Sequence, residues 1–178
     1  MDDTEQSRNA RKNPIGLKIL HTNIRGLNSK KESLADILKQ EKPDILTVNE
    51  TALKGKNKPI IDGYYSFFKN RLTKSMGGVA TAIDNYLKPN NVKVTEGEGD
   101  DEYVITRLDI CNPALNVVNI YGEQEGRSGK EKVMEGWNRL RRDLDRIKLR
   151  GEFCFLVGDF NKKVGNDEMG FKGNHPEI

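Results

Sequence analysis

The stretch that most constrains this chain runs from Phe153 to Asn161, where five consecutive apolar residues lead into Gly-Asp-Phe-Asn. Such a run is too short for a free-standing helix, and its lack of alternation is typical of a strand covered on both faces. The glycine permits close backbone approach. Ligands of open α/β sheets lie beyond the carboxyl ends of the strands, so Asp159 and Asn161 are predicted to lie where chemistry takes place. A turn closed by these two side chains is the alternative interpretation.

Two more polar residues follow predicted strands near the start of the chain. The stretches 17–23 and 44–49 are apolar and β-prone; the first ends at Asn23, and the second is followed by Glu50. A helical apolar stripe between them gives a strand-helix-strand order, which implies a right-handed crossover and two adjacent parallel strands. Asn23 and Glu50 are therefore expected side by side at one edge of a sheet.

The middle of the chain predicts strands joined by turns, and the last of them ends at Tyr121. The β-prone segments are 64–69, 77–84, 103–110 and 116–121. An amphipathic helix follows, and its basic residues alternate with acidic ones, which favours a solvated, ion-paired face over a nucleic-acid binding patch. Both helices are predicted to begin at capping boxes, formed by Ser29 with Glu32 and by Ser128 with Glu131.

Composition places the chain among single-domain proteins. Residues 17–178 suffice for one core, whereas residues 1–16 are polar and are expected to form a mobile tail. The formal net charge of +3 is too small to identify a nucleic-acid partner by charge. No apolar stretch has the length of a membrane span, so we expect a soluble intracellular protein. Cys111 and Cys154 are expected to be small buried residues rather than a disulfide.

Five polar residues thus stand at the ends of predicted strands, where a sheet would bring them together. They are Asn23, Glu50, Tyr121, Asp159 and Asn161. Two carboxylates with amides suit a hard divalent cation such as Mg²⁺, which takes oxygen ligands and keeps several waters, whereas zinc prefers histidine and cysteine. A sparse Mg²⁺ site with amides and a phenol is suited to phosphoryl transfer, in which catalysis is positioning plus charge neutralisation.

Five short motifs occur in an order that resembles the endonuclease/exonuclease/phosphatase superfamily. They are Thr-Asn-Ile-Arg-Gly-Leu at 22–27, Asn-Glu-Thr at 49–51 with Lys54, Gly-Gly-Val-Ala at 77–80, Asn-Ile-Tyr-Gly-Glu at 119–123 and Val-Gly-Asp-Phe-Asn at 157–161. More narrowly, the chain resembles the apurinic-type endonuclease domain that precedes the reverse transcriptase of non-LTR retrotransposons. The resemblance implies a four-layer α/β sandwich, with two mixed sheets face to face and helices outside.

The resemblance also implies roles for single residues. Glu50 and Asn23 would hold Mg²⁺ or its substitute Mn²⁺, and Tyr121 would hydrogen-bond the scissile phosphate. Asp159 would orient or deprotonate the attacking water, and Asn161 would contact the phosphate and the nucleophile. The loop before the double glycine is a weaker candidate for contacts to the DNA backbone, and its candidate residues are Arg71, Lys74 and Ser75.

One motif of the family is not found in this sequence. Family members continue past Gly-Asp-Phe-Asn to a Ser-Asp-His motif whose histidine completes the site, but the two histidines here, His21 and His175, lie outside such a motif. His21 is interpreted as a packed or hydrogen-bonded strand residue. We therefore expect a C-terminally truncated version of the family domain, with an exposed sheet edge that invites self-association or a partner chain.

Three functions are compatible with these motifs. The first is a Mg²⁺-dependent DNA endonuclease, nuclear or cytoplasmic, that nicks target DNA for retrotransposition. The second is a binding or assembly module that keeps the scaffold without the active-site histidine. The third is a phosphatase of phosphoinositides or an RNA-directed nuclease, because the shared motifs handle the phosphodiester rather than the rest of the substrate. The motif at 119–123 favours DNA.

Overall fold

Two four-stranded β-sheets form the centre of this computed structural model, which describes residues 16–71, 77–87, 92–122 and 129–161. The first sheet has the order β1-β2-β4-β3, with β1 at Ile19–Asn23, β2 at Ile45–Asn49, β3 at Tyr64–Lys69 and β4 at Val79–Asp84. The second sheet has the order β5-β6-β7-β8, with β5 at Val92–Glu96, β6 at Tyr103–Leu108, β7 at Leu115–Tyr121 and β8 at Phe153–Asp159.

Each sheet combines one parallel pair of strands with antiparallel neighbours. The parallel pairs are β1 with β2 and β7 with β8, and each is joined by a helix: α1 (Lys31–Glu41) in the first sheet and α2 (Lys130–Leu149) in the second. The predicted crossover between the first two strands is therefore confirmed. Because parallel strands end on the same side, each sheet brings two carboxyl ends together at one edge.

Three apolar clusters hold the layers together. On the outer face of the first sheet, α1 contributes Leu34 and Leu38. On the outer face of the second sheet, α2 contributes Leu140 and Ile147. The buried residues between the two sheets are Ile45, Ile83, Leu108 and Val117. The four-layer α/β sandwich expected from the resemblance is confirmed.

Neither helix of the described ranges is long and apolar enough to cross a membrane.

The helices do not begin at the predicted capping boxes. A short 3₁₀ turn at Asn28–Lys30 precedes α1, so Ser29 lies inside that turn and donates its hydroxyl to the carbonyl oxygen of Gly26 at 3.0 Å. Lys30 is the N-cap of α1 and makes no side-chain cap bond. The N-cap of α2 is Gly129, while Ser128 lies outside the described residues. The capping box of α1 was therefore wrong.

Strand β8 lies where the sequence predicts it, but it is more exposed than expected. Within the described ranges it is the last strand of its sheet, and α2 covers only part of it, so Phe153 and Phe155 remain 55% and 44% exposed. Cys154 on this strand and Cys111 are exposed free thiols. The expectation that β8 is covered on both faces was therefore wrong, and so was the expectation that the two cysteines are buried. An apolar sequence shows that a segment is β-prone, but it does not show which elements pack against it.

Two buried asparagines connect the sheets. Asn49 at the end of β2 donates its side-chain amide to the carbonyl oxygen of Ile120 at 2.9 Å. Asn119 on β7 donates in return to the carbonyl oxygens of Val48 at 3.2 Å and Ala80 at 2.8 Å. Both asparagines have no exposed surface. We call this reciprocal pair the amide clamp; it fixes the distance between the sheets at the end where Glu50 and Tyr121 lie.

The amide clamp predicts a large cost for Asn119→Ala. The variant loses two buried hydrogen bonds and leaves a small cavity, so we expect the free energy of unfolding to fall by about 2–4 kcal/mol. Urea unfolding measures this change. Asn85→Ala, at an exposed position, is the control and should stay within about 0.5 kcal/mol of the parent. Equal stability of the two variants would contradict the clamp.

Candidate active site

Asn23 and Glu50 meet at the carboxyl ends of the parallel strands β1 and β2, as the sequence predicts. The Asn23 side-chain amide donates to Oε1 of Glu50 at 2.9 Å. Glu50 adopts a left-handed backbone conformation with φ of 54°, which is uncommon for a residue other than glycine. Its carbonyl oxygen accepts a hydrogen bond from the backbone N–H of Gly26 at 2.8 Å, so the neighbouring loop holds this conformation.

Tyr121 reaches the same carboxylate from the second sheet. Its hydroxyl donates to Oε1 of Glu50 at 3.1 Å, so this oxygen accepts bonds from both sheets. Burial raises the pKa of the Tyr121 phenol, and the negative charge of Glu50 and its hydrogen bond add to this effect. The phenol therefore remains a protonated donor at neutral pH.

Asp159 and Asn161 follow strand β8, next to the end of β7. Oδ1 of Asp159 accepts from the backbone N–H of Asn161 at 2.9 Å, and the Asn161 amide donates to the carbonyl oxygen of Gly122 at 2.8 Å. The Asn161 side chain also acts on the Tyr121 phenol, where it opposes the rise in the pKa of that group. Asn161 is left-handed, with φ of 47°. The segment is therefore both a turn closed by its own side chains and part of the strand-end cluster.

Gly158 allows the close approach of strands that the sequence predicts at this point. Its φ is +137°, and a Cβ atom there would overlap the carbonyl group of Ile120 on β7. Gly122 is equally restricted, because a Cβ atom there would overlap the carbonyl group of Phe160. Glycine at these two positions lets Tyr121 and Asp159 lie side by side.

His21 lies on β1, two residues before Asn23. Its Nδ1 is 3.0 Å from the Thr47 hydroxyl, in agreement with the interpretation as a hydrogen-bonded strand histidine. Burial lowers the pKa of the His21 imidazole, while the charge of Asp159 acts in the opposite direction. The His21 imidazole is therefore neutral at neutral pH, because its pKa lies below the ordinary value.

Of the three residues proposed to contact the DNA backbone, the structure describes only Arg71. Arg71 is described and is buried, with 6% of its surface exposed, and its guanidinium pairs with the carboxylate of Glu102. Its assignment to the DNA backbone stays a prediction, as do those of Lys74 and Ser75, which lie outside the described residues together with His175.

No role was assigned from the sequence to the buried polar residues whose hydrogen bonds support the site. These are Asn49, Asn119 and Glu102, all of them buried. For Asn119 the available signal was a polar residue inside a largely apolar strand, whereas Asn49 is the last residue of β2; both begin motifs of the sequence, at 119–123 and 49–51, in which they had been given no role. No local pattern identifies Glu102, because its partner Arg71 is 31 positions away.

The donor chemistry of the cluster fits a hard cation. Its side chains offer carboxylate oxygens from Glu50 and Asp159 and amide oxygens from Asn23 and Asn161, the ligand types that Mg²⁺ prefers. Within the described ranges, no group of three or more His, Cys, Asp or Glu residues could hold a metal. Oxygen donors of this kind suit an ion that keeps several waters, whereas zinc prefers histidine and cysteine.

The sequence matches the profile of the Endonuclease/Exonuclease/phosphatase family over residues 20–175. Among solved structures, an AP endonuclease from Archaeoglobus fulgidus is similar, with a TM-score of 0.63 and 26% identity. The catalytic domain of Xenopus laevis APE2 gives a TM-score of 0.65 at 20% identity. The 3′ phosphatase NExo from Neisseria, solved with a product DNA hairpin, gives 0.61 at 21% identity.

These similarities extend over most of this chain but not over the other proteins. Each covers 82% of this chain, and they cover 58%, 59% and 58% of the archaeal, Xenopus and Neisseria chains. The chain therefore spans less than two thirds of the length of the solved structures that it resembles. The two matches below 25% identity describe the fold.

The environment of His21 predicts its titration. We expect its pKa to lie below the usual value of about 6.5, and Asp159→Asn to lower it further, because that change removes a charge that favours the imidazolium. The unfolded chain then binds the proton more readily, so the free energy of unfolding falls as the pH falls below about 6.5. Proton NMR of the two histidines, assigned with His21→Gln, measures the pKa; Asp62→Asn is the exposed control. A His21 pKa above that of a free histidine would contradict this account.

Proposed function

The chain belongs to the endonuclease/exonuclease/phosphatase family, whose members hydrolyse phosphate esters, and we propose that it is a Mg²⁺-dependent DNA endonuclease that nicks target DNA for retrotransposition. One observation carries the proposal: a network of polar contacts joins the five strand-end residues across both sheets. It runs from Asn23 through Glu50 and Tyr121 to Asn161 and Asp159.

Glu50 and Asn23 are the residues that would hold the metal, with Mn²⁺ as a substitute for Mg²⁺. Asn23 is exposed and Glu50 half-buried, so their oxygens can be reached from solvent. When bound, the cation would neutralise charge on the phosphate. The hydrogen bond from Asn23 to Glu50 holds the two side chains together and limits their side-chain freedom.

Tyr121 would bind the scissile phosphate. Its phenol is protonated at neutral pH because its pKa is raised, so it can donate to a phosphate oxygen in place of Glu50. Donors that are held in position before the reaction stabilise the negative charge of the transition state more strongly than mobile ones. The half-buried ring satisfies this requirement.

Asp159 and Asn161 would act on the nucleophile. The backbone N–H of Asn161 holds one carboxylate oxygen of Asp159, which fixes the orientation of the group. A carboxylate held in this way can orient a water molecule and accept its proton. Asn161 is hydrogen-bonded to Asp159 and to the carbonyl oxygen of Gly122, the residue after Tyr121, and would contact both phosphate and water.

The choice of DNA rests on similarity and on one motif. The related structures include an AP endonuclease at 26% identity and a 3′ phosphatase solved with a product DNA hairpin. The Asn-Ile-Tyr-Gly-Glu motif at 119–123 adds the resemblance to retrotransposon endonucleases. An RNA nuclease or a phosphoinositide phosphatase would use the same five residues, so substrate competition separates these functions.

The proposal predicts nicking of supercoiled plasmid by the 178-residue protein in Mg²⁺. Glu50→Ala and Asp159→Ala should abolish nicking, and Tyr121→Phe should reduce the rate by about 10²-fold, the usual effect of losing one donor to developing charge. Asp36→Ala, an exposed carboxylate on α1, should nick like the parent. Gel separation of nicked and supercoiled forms measures the rate. A folded parent that binds DNA without nicking it would favour the binding module instead.

The exposed edge of β8 supports a separate proposal about partners. Within the described ranges β8 has a neighbouring strand on one side only, and Phe153, Phe155 and Leu156 are each more than 40% exposed. An apolar strand at the edge of a sheet is a template for another chain. We propose that this edge associates with a second copy of the chain. A partner protein that adds a strand would use the same surface.

Self-association predicts a concentration-dependent increase in mass. In sedimentation velocity the parent should form dimers, and Phe155→Glu should restore the monomer by placing a charge on the apolar edge. Ile60→Glu is the matched control. Ile60 is also apolar and is 81% exposed, but it lies near helix α1 of the first sheet, away from β8. Monomers at all concentrations for the parent would contradict self-association.

A further inference from the structure

A buried ion pair, formed by Arg71 and Glu102, lies next to Tyr121 of the candidate active site. Nε of Arg71 donates to Oε2 of Glu102 at 2.6 Å, and a second guanidinium nitrogen pairs with the same carboxylate. The side chains are 6% and 1% exposed. Both residues lie outside the five-residue network, and the proposed chemistry does not use them directly.

Stability alone does not explain this pair. Removing two charges from water costs several kcal/mol per ion, and the attraction between them offsets that cost only when geometry and additional hydrogen bonds are good. Apolar residues of similar volume would hold the layers together at least as well. A buried pair in this position therefore indicates a role in fixing geometry.

The contacts of the pair lead to Tyr121. The guanidinium carbon of Arg71 lies 5.8 Å from the centre of the Tyr121 ring, within the range of a cation–π contact. The carbonyl oxygen of Glu102 accepts the backbone N–H of Tyr121 at 2.8 Å. The ring is therefore held on its face by one partner and through its backbone by the other.

The same pair also fixes the loop that follows Glu50. The carboxylate of Glu102 accepts the backbone N–H of Gly78, and a Cβ atom at Gly77 would lie only 2.5 Å from Glu102 and 2.6 Å from Arg71. The carbonyl oxygens of Gly77 and Gly78 in turn accept from Ala52 at 2.8 Å and Thr51 at 3.1 Å. The pair thus contacts the surroundings of both residues in the Tyr121–Glu50 hydrogen bond. It supports the loop that follows Glu50, and it contacts the ring of Tyr121.

We propose that Arg71 and Glu102 are positioning residues that hold the Tyr121 ring, and with it the phenol, against Glu50. The catalytic meaning of this position rests on the proposed function, but the position itself does not. Arg71 then acts inside the protein and not on the DNA backbone. A guanidinium is required, because it can pair with a carboxylate through two nitrogens while its carbon lies over a ring, which a lysine cannot do.

Fluorine NMR tests the position of the ring without any need for activity. The protein has five tyrosines, so uniform 3-fluorotyrosine labelling gives five resonances, and the one absent from Tyr121→Phe belongs to Tyr121. Arg71→Lys keeps the charge and the buried volume but loses the planar contact. We expect it to shift or broaden the Tyr121 resonance and to leave the other four in place.

Two further variants keep the experiment decisive. Arg107→Lys is the matched control, because Arg107 pairs with Glu152 at 2.8 Å at the far end of the second sheet, and it should not move the Tyr121 resonance. Glu102→Gln keeps the shape of the carboxylate and replaces Arg71→Lys if that variant does not fold. An unchanged Tyr121 resonance in a folded Arg71→Lys or Glu102→Gln protein would overturn the proposal.

Kinetics distinguish positioning from simple support. If Arg71 acts through Tyr121, Arg71→Lys should lower kcat about 10-fold at unchanged KM, and it should have little further effect in the Tyr121→Phe background. Equal losses in both backgrounds would mean that Arg71 does not act through Tyr121, which also overturns the proposal. Absence of nicking by the parent, with a shifted fluorine resonance in Arg71→Lys, would contradict the endonuclease function and support the positioning role.

Discussion

The distance between the two sheets is the constraint on which the candidate active site depends. Glu50 extends from the first sheet and Tyr121 from the second, and their hydrogen bond of 3.1 Å exists only while the sheets stay in place. Apolar packing between sheets is not directional, so it fixes a thickness but not a register. The amide clamp of Asn49 and Asn119 adds direction, because each amide must meet particular carbonyl oxygens of the opposite sheet. Both asparagines lie within two positions of a site residue.

Several site residues are held in conformations that the local sequence does not favour. Glu50 and Asn161 have left-handed backbone conformations, and Arg71 and Glu102 are buried charged groups. Each departure costs stability, of the order of 1–3 kcal/mol for the strained backbone positions. Backbone hydrogen bonds from Gly26 to Glu50 and from Gly122 to Asp159 supply the local support. The scaffold therefore uses stability from its apolar layers to keep these groups in one arrangement.

The sandwich was expected from the resemblance to the family, whereas the meeting of the five strand-end residues was predictable because it depends on strand order and direction. An apolar segment that ends in a polar residue shows where a strand ends, and parallel strands bring those ends together. Burial was less predictable. Strand β8 has the composition of a central strand, yet its exposed edge depends on what lies beside it. The Arg71–Glu102 pair was also not predictable, since it joins residues that are distant in sequence and have no periodic pattern. Strand β5 was not predicted, because it contains only two apolar residues, Val92 and Val94, and is followed by an acidic, glycine-rich segment.

The two sheets are built on one plan, with a parallel pair of strands joined by a helix in each. Asn23 and Glu50 come from the first such unit, and Tyr121 and Asp159 from the second. Each unit brings its own two residues together through contacts inside that unit, but the four residues meet only when the units dock. Bringing residues so far apart in sequence together closes a long loop, which carries an entropic cost. The candidate site is therefore complete only when the two units have docked, and the hydrogen bond between Tyr121 and Glu50 reports that docking.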